Sequence, residues 1–357
     1  MRQRPGNGIA ALPLPPQTRP GPGRTQEEEE AAMPPRYADL PRPEDGSGLP
    51  LAWGVWGPED EIGTLNRITA ATVAAAAGEI RDGRRFNLNL PLDEPFGATH
   101  QGSHRRRAAP SPTLIADEQP GRLIRDDKLD GFWLQGSTQW DGLSHFADPY
   151  HGFYNHAPVS AVVHGAESRN GIDKALRHGI AGRCVLADLA RHFARTGRDW
   201  GPLGARRASA AEVEACLKAQ GVALRPGDIL LIRTGWLEAF RAAPDVDARD
   251  HLIRGTNKGQ DYSGLSGGED MWRFLWDQGV AATCADNPTV EVWPYFPWKP
   301  TLHWGIARLG LVIGEFFDFE ALAADSAASS RYTGFFTAAP LHLRGGVGSP
   351  GNALAIR

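Results

Sequence analysis

The residues Ser209-Ala-Ala-Glu212 form a capping box, in which the serine side chain takes the third amide of a helix and the glutamate reaches back to the serine amide. The box predicts a helix to about Gln220, stopped by Gly221. After the Pro226-Gly227 turn, the apolar run Ile229 to Ile232 reads as a buried strand. The pattern returns with Asp270 to Gln278 as helix and Val280 to Cys284 as strand, then with Leu309 to Ile313 as strand and Phe319 to Ala324 as helix. Upstream, the Ala-rich stretch Thr69 to Ile80 has a capping threonine and ends at Asp82-Gly83, while Arg85 to Leu92 alternates Phe86, Leu88, Leu90 and Leu92 with largely polar neighbours. Helices and strands interleave along the chain. The fold class is therefore mixed α/β, in one layered domain.

An apolar fraction of 41%, with 11 Trp, 14 Phe and 6 Tyr, supplies the core such a domain needs. Residues 1–49 differ, being dominated by Pro, Gly, Arg and the run Glu27 to Glu30, and read as a disordered tail. The folded domain is expected over residues 50–357, beginning near Trp53, with residues through Pro43 dispensable and Met33 an alternative start to Met1. A net charge of −4 with mixed signs offers no basic stripe, so nucleic acid is not expected as a partner. Cys184, Cys216 and Cys284 form no CxxC or Cys/His cluster, which speaks against a disulfide framework or a thiolate zinc site and for a reducing compartment. No apolar run has the length of a membrane span, and Met1 to Pro5 leads into no signal-peptide core. A cytoplasmic protein without a membrane partner is expected. Without GxGxxG, P-loop or GxSxG signatures, nucleotide-dependent and serine-hydrolase chemistries lose their usual support.

The densest polar constellation is Gln135-Gly-Ser-Thr-Gln-Trp-Asp-Gly-Leu-Ser-His145. If Gln139 to Asp141 is extended, residues i and i+2 share a face, and Gln139 and Asp141 converge on one cation. The same spacing admits a polar loop in which Asp141 caps a helix and His145 lies on the surface. Trp133, Trp140, Trp293, Trp298 and Trp304 surround this block and a second one at His303; they suit either an aromatic ligand wall or a core. His151 and His156 read as a loop next to the block. His100 and His104 are flanked by glycines and arginines and also read as loop. Asp286, just after a strand, is either a strand-end turn residue or an orienting one.

The block resembles the H-x-G-T-H-x-D-x-P-x-H motif of the cyclase superfamily, to which bacterial kynurenine formamidase and isatin hydrolase belong. Gly136-Ser137-Thr138 stands at its x-G-T, Asp141 at its Asp and His145 at its final His, while Gln135, Gln139 and Leu143 replace two histidines and the proline. Leu302-His303 followed twelve residues later by Gly314-Glu315 matches the family's later ligand block, and the resemblance extends from about Trp53 to the end, including Ala285-Asp-Asn-Pro288 and the closing Gly-Gly-Val-Gly-Ser-Pro350.

The resemblance implies a swivelling β/β/α domain with a β-barrel-like core and a homodimer or homotetramer. It also implies one divalent ion, Mn²⁺ or Zn²⁺ with Mg²⁺ as a further candidate, held by Asp141, His303 and Glu315 with Gln139 and Gln135. His145 is the implied proton carrier, and Trp133, Trp140 and Trp304 are expected to bind substrate. Carbonyl oxygens in place of two imidazoles shift the expected preference away from zinc and toward one ion instead of two. The implied activity is metal-dependent hydrolysis of a C–N bond in an amide, formamide or lactam of a small aromatic molecule. A cyclase or dehydratase on a polyketide-like substrate and a non-catalytic binding protein are the alternatives.

Overall fold

Pairing of strands from distant parts of the chain sets this architecture. In a computed structural model, residues 34–98, 107–253, 261–294 and 300–357 are described; His100, His104, Trp298 and Met33 lie outside them. The strands are β1 (Arg85–Asn87), β2 (Ser111–Gln119), β3 (Arg122–Asp130), β4 (Gln139–Asp141), β5 (Ile180–Asp188), β6 (Arg207–Ala208), β7 (Ile229–Arg233), β8 (Gly264–Leu265), β9 (Ala282–Ala285), β10 (Val312–Glu315), β11 (Thr333–Ala338), β12 (Gly348–Pro350) and β13 (Ala353–Ile356). The helices are α1 (Ala70–Ala76), α2 (Leu189–Thr196), α3 (Ala210–Ala219), α4 (Trp236–Ala242), α5 (Val246–Ile253), α6 (Glu269–Asp277), α7 (Leu302–Leu309) and α8 (Glu320–Ser329). A nine-stranded curled sheet runs β1-β13-β11-β5-β7-β9-β10-β4-β12. Its middle, β5-β7-β9-β10, is parallel and its flanks are antiparallel. This is the mixed α/β fold with a barrel-like sheet that was expected.

Local chemistry explains the elements. The Ser209/Glu212 box caps α3, and Thr69 with Thr72 forms a second box on α1, each such cap contributing about 1 kcal/mol. The central parallel strands are rich in apolar residues, with every residue of β7 and β9 buried. Two boundaries depart from expectation. The strand at Arg85 ends at Asn87, because the Asn87 and Asn89 side chains hydrogen-bond to each other and to nearby backbone and turn the chain aside. The segment from Leu309 is the end of α7, terminated by Gly310 at φ +66, and its strand begins only at Val312.

The larger correction concerns the start of the fold. Arg36–Arg357 is one compact unit, and Tyr37, Leu40 and Leu49 are buried in the main core. The Tyr37 amide donates to Asp277 at the end of α6, and Trp53 Nε1 donates to Ala307 O on α7. The compact unit therefore starts at Arg36, ahead of the boundary expected near residue 49. Composition misled because a few well-placed apolar residues packed on distant helices order a segment that is otherwise Pro- and Gly-rich.

The three cysteines are buried and unpaired. No helix among the described residues is long and apolar enough to cross a membrane.

Candidate metal centre

Strand β4 is short, fully buried and held on both sides, by β10 and by β12. Its register places Glu315 opposite Gln139, and Ile313 and Gly348 opposite Asp141. Directly paired residues share a face, so Gln139, Asp141 and Glu315 project to the same side. The extended alternative for this block is the one adopted. Thr138 fastens it, its Oγ1 donating to Phe316 O at 2.6 Å and accepting from Leu90 N at 2.8 Å.

Helix α7 brings His303 onto that face, in the first turn after the Thr301 cap. Its Nε2 lies 3.4 Å from Glu315 Oε1 and 4.0 Å from Asp141 Oδ2. Ligand atoms of Asp141, His303 and Glu315 all fall within 4.8 Å of one another. Donors held about 2.1 Å from one divalent ion sit about 3–3.5 Å apart, so small side-chain adjustments close the set around a cation. Charge balance argues the same way. Both oxygens of Asp141 are buried without a hydrogen-bond donor, and Gln139 Oε1 is buried without one as well. A buried carboxylate stripped of donors is costly unless a cation compensates it. The residues present fit the group that the resemblance implies.

Each ligand has a support. Gln139 donates through Nε2 to Glu315 Oε2, which leaves its carbonyl oxygen free on the same face. Gln135 also reaches that face: a side chain at Gly348 would meet its amide at 2.7 Å, so glycine opposite Asp141 makes its room. His303 Nδ1 donates to Glu291 Oε1 at 2.6 Å, and Glu291 Oε2 accepts the Leu302 amide at 2.8 Å. This fixes the tautomer that presents Nε2 to Asp141 and Glu315. Val290 at φ +61 and Phe316 at φ +56 adjoin Glu291 and Glu315. Such backbone costs about 1–3 kcal/mol per residue, and both residues are buried where packing enforces it.

His145 lies at the rim, partly exposed, with Nε2 3.8 Å from Asp141 Oδ1. Burial lowers its pKa below the ordinary value, against the pull of Asp141 and with the help of His303 and Arg107. It is neutral at neutral pH and able to take a proton. Burial and the Asp141 charge push Glu315 well above the usual carboxylate range. Burial alone would push His303 down, but its bonds to Glu291 and Glu315 hold it well above its ordinary value.

Other expectations divide. Trp133 is exposed, five residues before Thr138. Trp140, expected to bind substrate, faces the opposite side of β4. It is fully buried, packs edge-on against Phe317 and Phe336, and donates to Gly351 O. The period-2 alternation that brings Asp141 to the site sends Trp140 away from it. Trp304 is buried in the core beside Tyr150, so it gives no open wall either. His151 pairs with Asp45 at 2.8 Å and both His151 and His156 pack on Trp53, away from the ligand set. Asp286 accepts from Thr234 N, Thr234 Oγ1 and Gly235 N, fastening the turn after β7. Sequence reasoning missed two residues. Glu291, an acid set between Val290 and Val292, was a readable sign of a buried charge. Arg107 donates to Gln135 O at 2.9 Å, and no sequence signal separated it from its arginine neighbours.

Residues 87–292 match the family model described as "Putative cyclase". A crystal structure described as that of a novel cyclase is 31% identical, with a TM-score of 0.74 over 86% of this chain and 99% of that chain. Isatin hydrolase A from Ralstonia solanacearum shares the fold at 16% identity and a TM-score of 0.52, over 81% of this chain and 98% of its own. Isatin hydrolase A from Labrenzia aggregata, bound to benzyl benzoate, is similar at 16% and 0.52, over 82% and 98%. No curated protein matches the chain. On the strength of a family match across more than half its length and a relative sharing nearly a third of its residues, this chain belongs to the cyclase family.

Proposed function

We propose that this protein is a metal-dependent hydrolase of a C–N bond in an amide, formamide or lactam of a small aromatic molecule. The observation that carries the reading is the buried Asp141 carboxylate, without a donor, facing His303 and Glu315. A divalent ion bound there would polarise a carbonyl and acidify a water molecule. Asp141 and Glu315 would supply the negative charge to hold it, His303 a nitrogen oriented by Glu291, and Gln139 a carbonyl oxygen. This oxygen-rich set favours Mn²⁺ or Mg²⁺ more than an all-imidazole set would. Neutral His145 takes the proton of the attacking water and returns it to the leaving nitrogen. Exposed Trp133, close in sequence to Gln135, is the aromatic surface on which an aryl group would rest. The likeness to isatin hydrolases supports the fold of such an enzyme, and the relative described as a cyclase favours a second reading, ring closure with loss of water at the same centre.

Metal analysis after loading with manganese or zinc and desalting should give about one ion per chain, lost in Glu315→Ala. His145→Ala should keep the ion and lower turnover of the best formamide, lactam or ester substrate by about 10²- to 10⁴-fold. Loss of the ion in His145→Ala would make His145 a ligand. An ion with no turnover on any of these substrates would favour a binding protein.

A further inference from the structure

Arg107 is half-buried, and the protein leaves its charge unanswered. Its Nη1 donates to Gln135 O, a neutral acceptor, at 2.9 Å, and among the described residues no carboxylate pairs with it. Arg169, Arg198 and Arg331 are also half-buried, and each pairs with a glutamate. A single bond to a backbone oxygen leaves most of the guanidinium N–H donors uncommitted, and a charge withdrawn from water without a counterpart is costly. The position of Arg107 ties that charge to the candidate centre. Gln135 holds Arg107 by its carbonyl oxygen and sends its own side chain to Gly348, which pairs opposite Asp141. Burial dominates the pKa of both Glu315 and His145, and the Arg107 charge acts on each as well, favouring the ionised acid and the neutral imidazole. The turn that holds Arg107 also carries exposed Trp133, whose carbonyl oxygen accepts from Gly136 N at 2.9 Å.

We propose that Arg107 binds a carboxylate carried by the substrate, so that the molecule turned over is an aryl amide, formamide or lactam with an anionic group away from the bond that is cleaved. This rests on the hydrolase reading above and narrows it. A divalent ion at the centre would answer Asp141 and Glu315, while Glu291 is taken up by His303 Nδ1 and the Leu302 amide. None of these acids needs Arg107. A guanidinium presents parallel N–H donors that match the two oxygens of a carboxylate, a fit that a point charge does not offer. Fastening the Gln135 turn alone would call for a donor and no charge. A partly exposed cation held against the edge of the centre can both attract an anion and fix how it lies. The indole of Trp133, on the same turn, is the surface for the ring that bears the carboxylate.

Steady-state hydrolysis by the metal-loaded full chain tests this with formanilide and the 2-, 3- and 4-formamidobenzoates, which add one carboxylate to the same ring. At least one of the acids should exceed formanilide in kcat/KM by about tenfold or more. Arg107→Met should cost that acid at least about tenfold more than it costs formanilide, chiefly through KM, with metal content unchanged, and Arg107→Lys should keep part of the advantage. Calorimetric titration of benzoate and benzamide onto the same loaded protein separates the anion site from the chemistry. The unmodified protein should prefer benzoate, and Arg107→Met should lose about tenfold or more of that preference. Turnover of formanilide with no advantage for any of the acids would overturn the proposal and leave the hydrolase reading standing. An Arg107-dependent preference for benzoate without turnover of any of these compounds would keep the anion site and remove the hydrolase reading. A preference for benzoate that survives Arg107→Met would put the anion on the metal and overturn the proposal.

Discussion

Helix α7 buries charge at both ends, and the two clusters differ in whether those charges balance. Near its end, Arg308 is fully buried and donates to Asp148 at 2.6 Å, to Leu49 O at 2.9 Å and to Asp45. Near its start, His303 faces Glu291, Glu315 and an Asp141 whose oxygens receive no donor. Both sites are dry. The first cluster answers each acceptor with a donor and works as a fastening between the segment around residue 45, the turn at Asp148 and the helix. The second holds more negative charge than its one imidazole can answer, which suits it to receive a cation. Burial alone would not have told them apart.

The contrast is broken most directly by two substitutions made side by side. Asp141→Asn should abolish metal uptake without lowering the melting temperature of the metal-free protein, because it removes an unanswered charge. Asp148→Ala should cost about 3–5 kcal/mol in denaturant unfolding, because it leaves Arg308 buried and underpaired, while the folded fraction still takes up its ion. If Asp141→Asn is the more destabilising of the two, the receptive reading of that cluster fails. A smaller change is expected of Glu291→Gln, which keeps the shape but weakens the orientation of His303. Metal affinity measured by competition with a chelator should fall about 10- to 100-fold.

Gln135→His with Gln139→His sharpens the comparison from the other side. Adding two imidazoles should raise zinc uptake from about one toward two per chain, and two tightly held ions in the unmodified protein would contradict the one-ion reading. The smallest effect is the acid response of the balanced cluster. Burial pushes Asp45 up, yet hydrogen bonds from Ser47, Arg308 and His151 outweigh it and hold its carboxyl well below the ordinary value of 3.8. Its ionised form therefore contributes stability that is complete above about pH 4 and is lost as the pH falls through the folded-state value. Acid unfolding followed by circular dichroism should show this loss, and Arg308→Met should flatten it.

Much of this was legible because it is written in local chemistry. The Ser209/Glu212 box placed α3, the apolar run placed β7, and the i, i+2 spacing of Gln139 and Asp141 placed both on one face. What stayed hidden depends on pairing at a distance. Trp140 could not be assigned to the core until Phe317 and Phe336 were known to lie behind it. Tyr37 and Leu40 sit in a stretch whose composition resembles a tail, and only α6 and α7 packing on them makes them core. The β2–β3 ribbon, turning at Pro120-Gly121, went unread because its mixed charged and apolar residues show no strand alternation.

The strand order has a consequence for how the molecule is made. Among the described residues strand β1 is paired only through β13, and Gln139–Asp141 lies between β10 and β12, all of them partners that come far later in the sequence. Pairings this remote in sequence form slowly, since the intervening chain must first be brought to order. During synthesis Asp141 waits without either neighbour, and the face that gathers it with His303 and Glu315 is completed among the last events of folding. The ability to hold a cation therefore reports that the whole sheet has closed, and ion uptake during refolding should trail the recovery of helix.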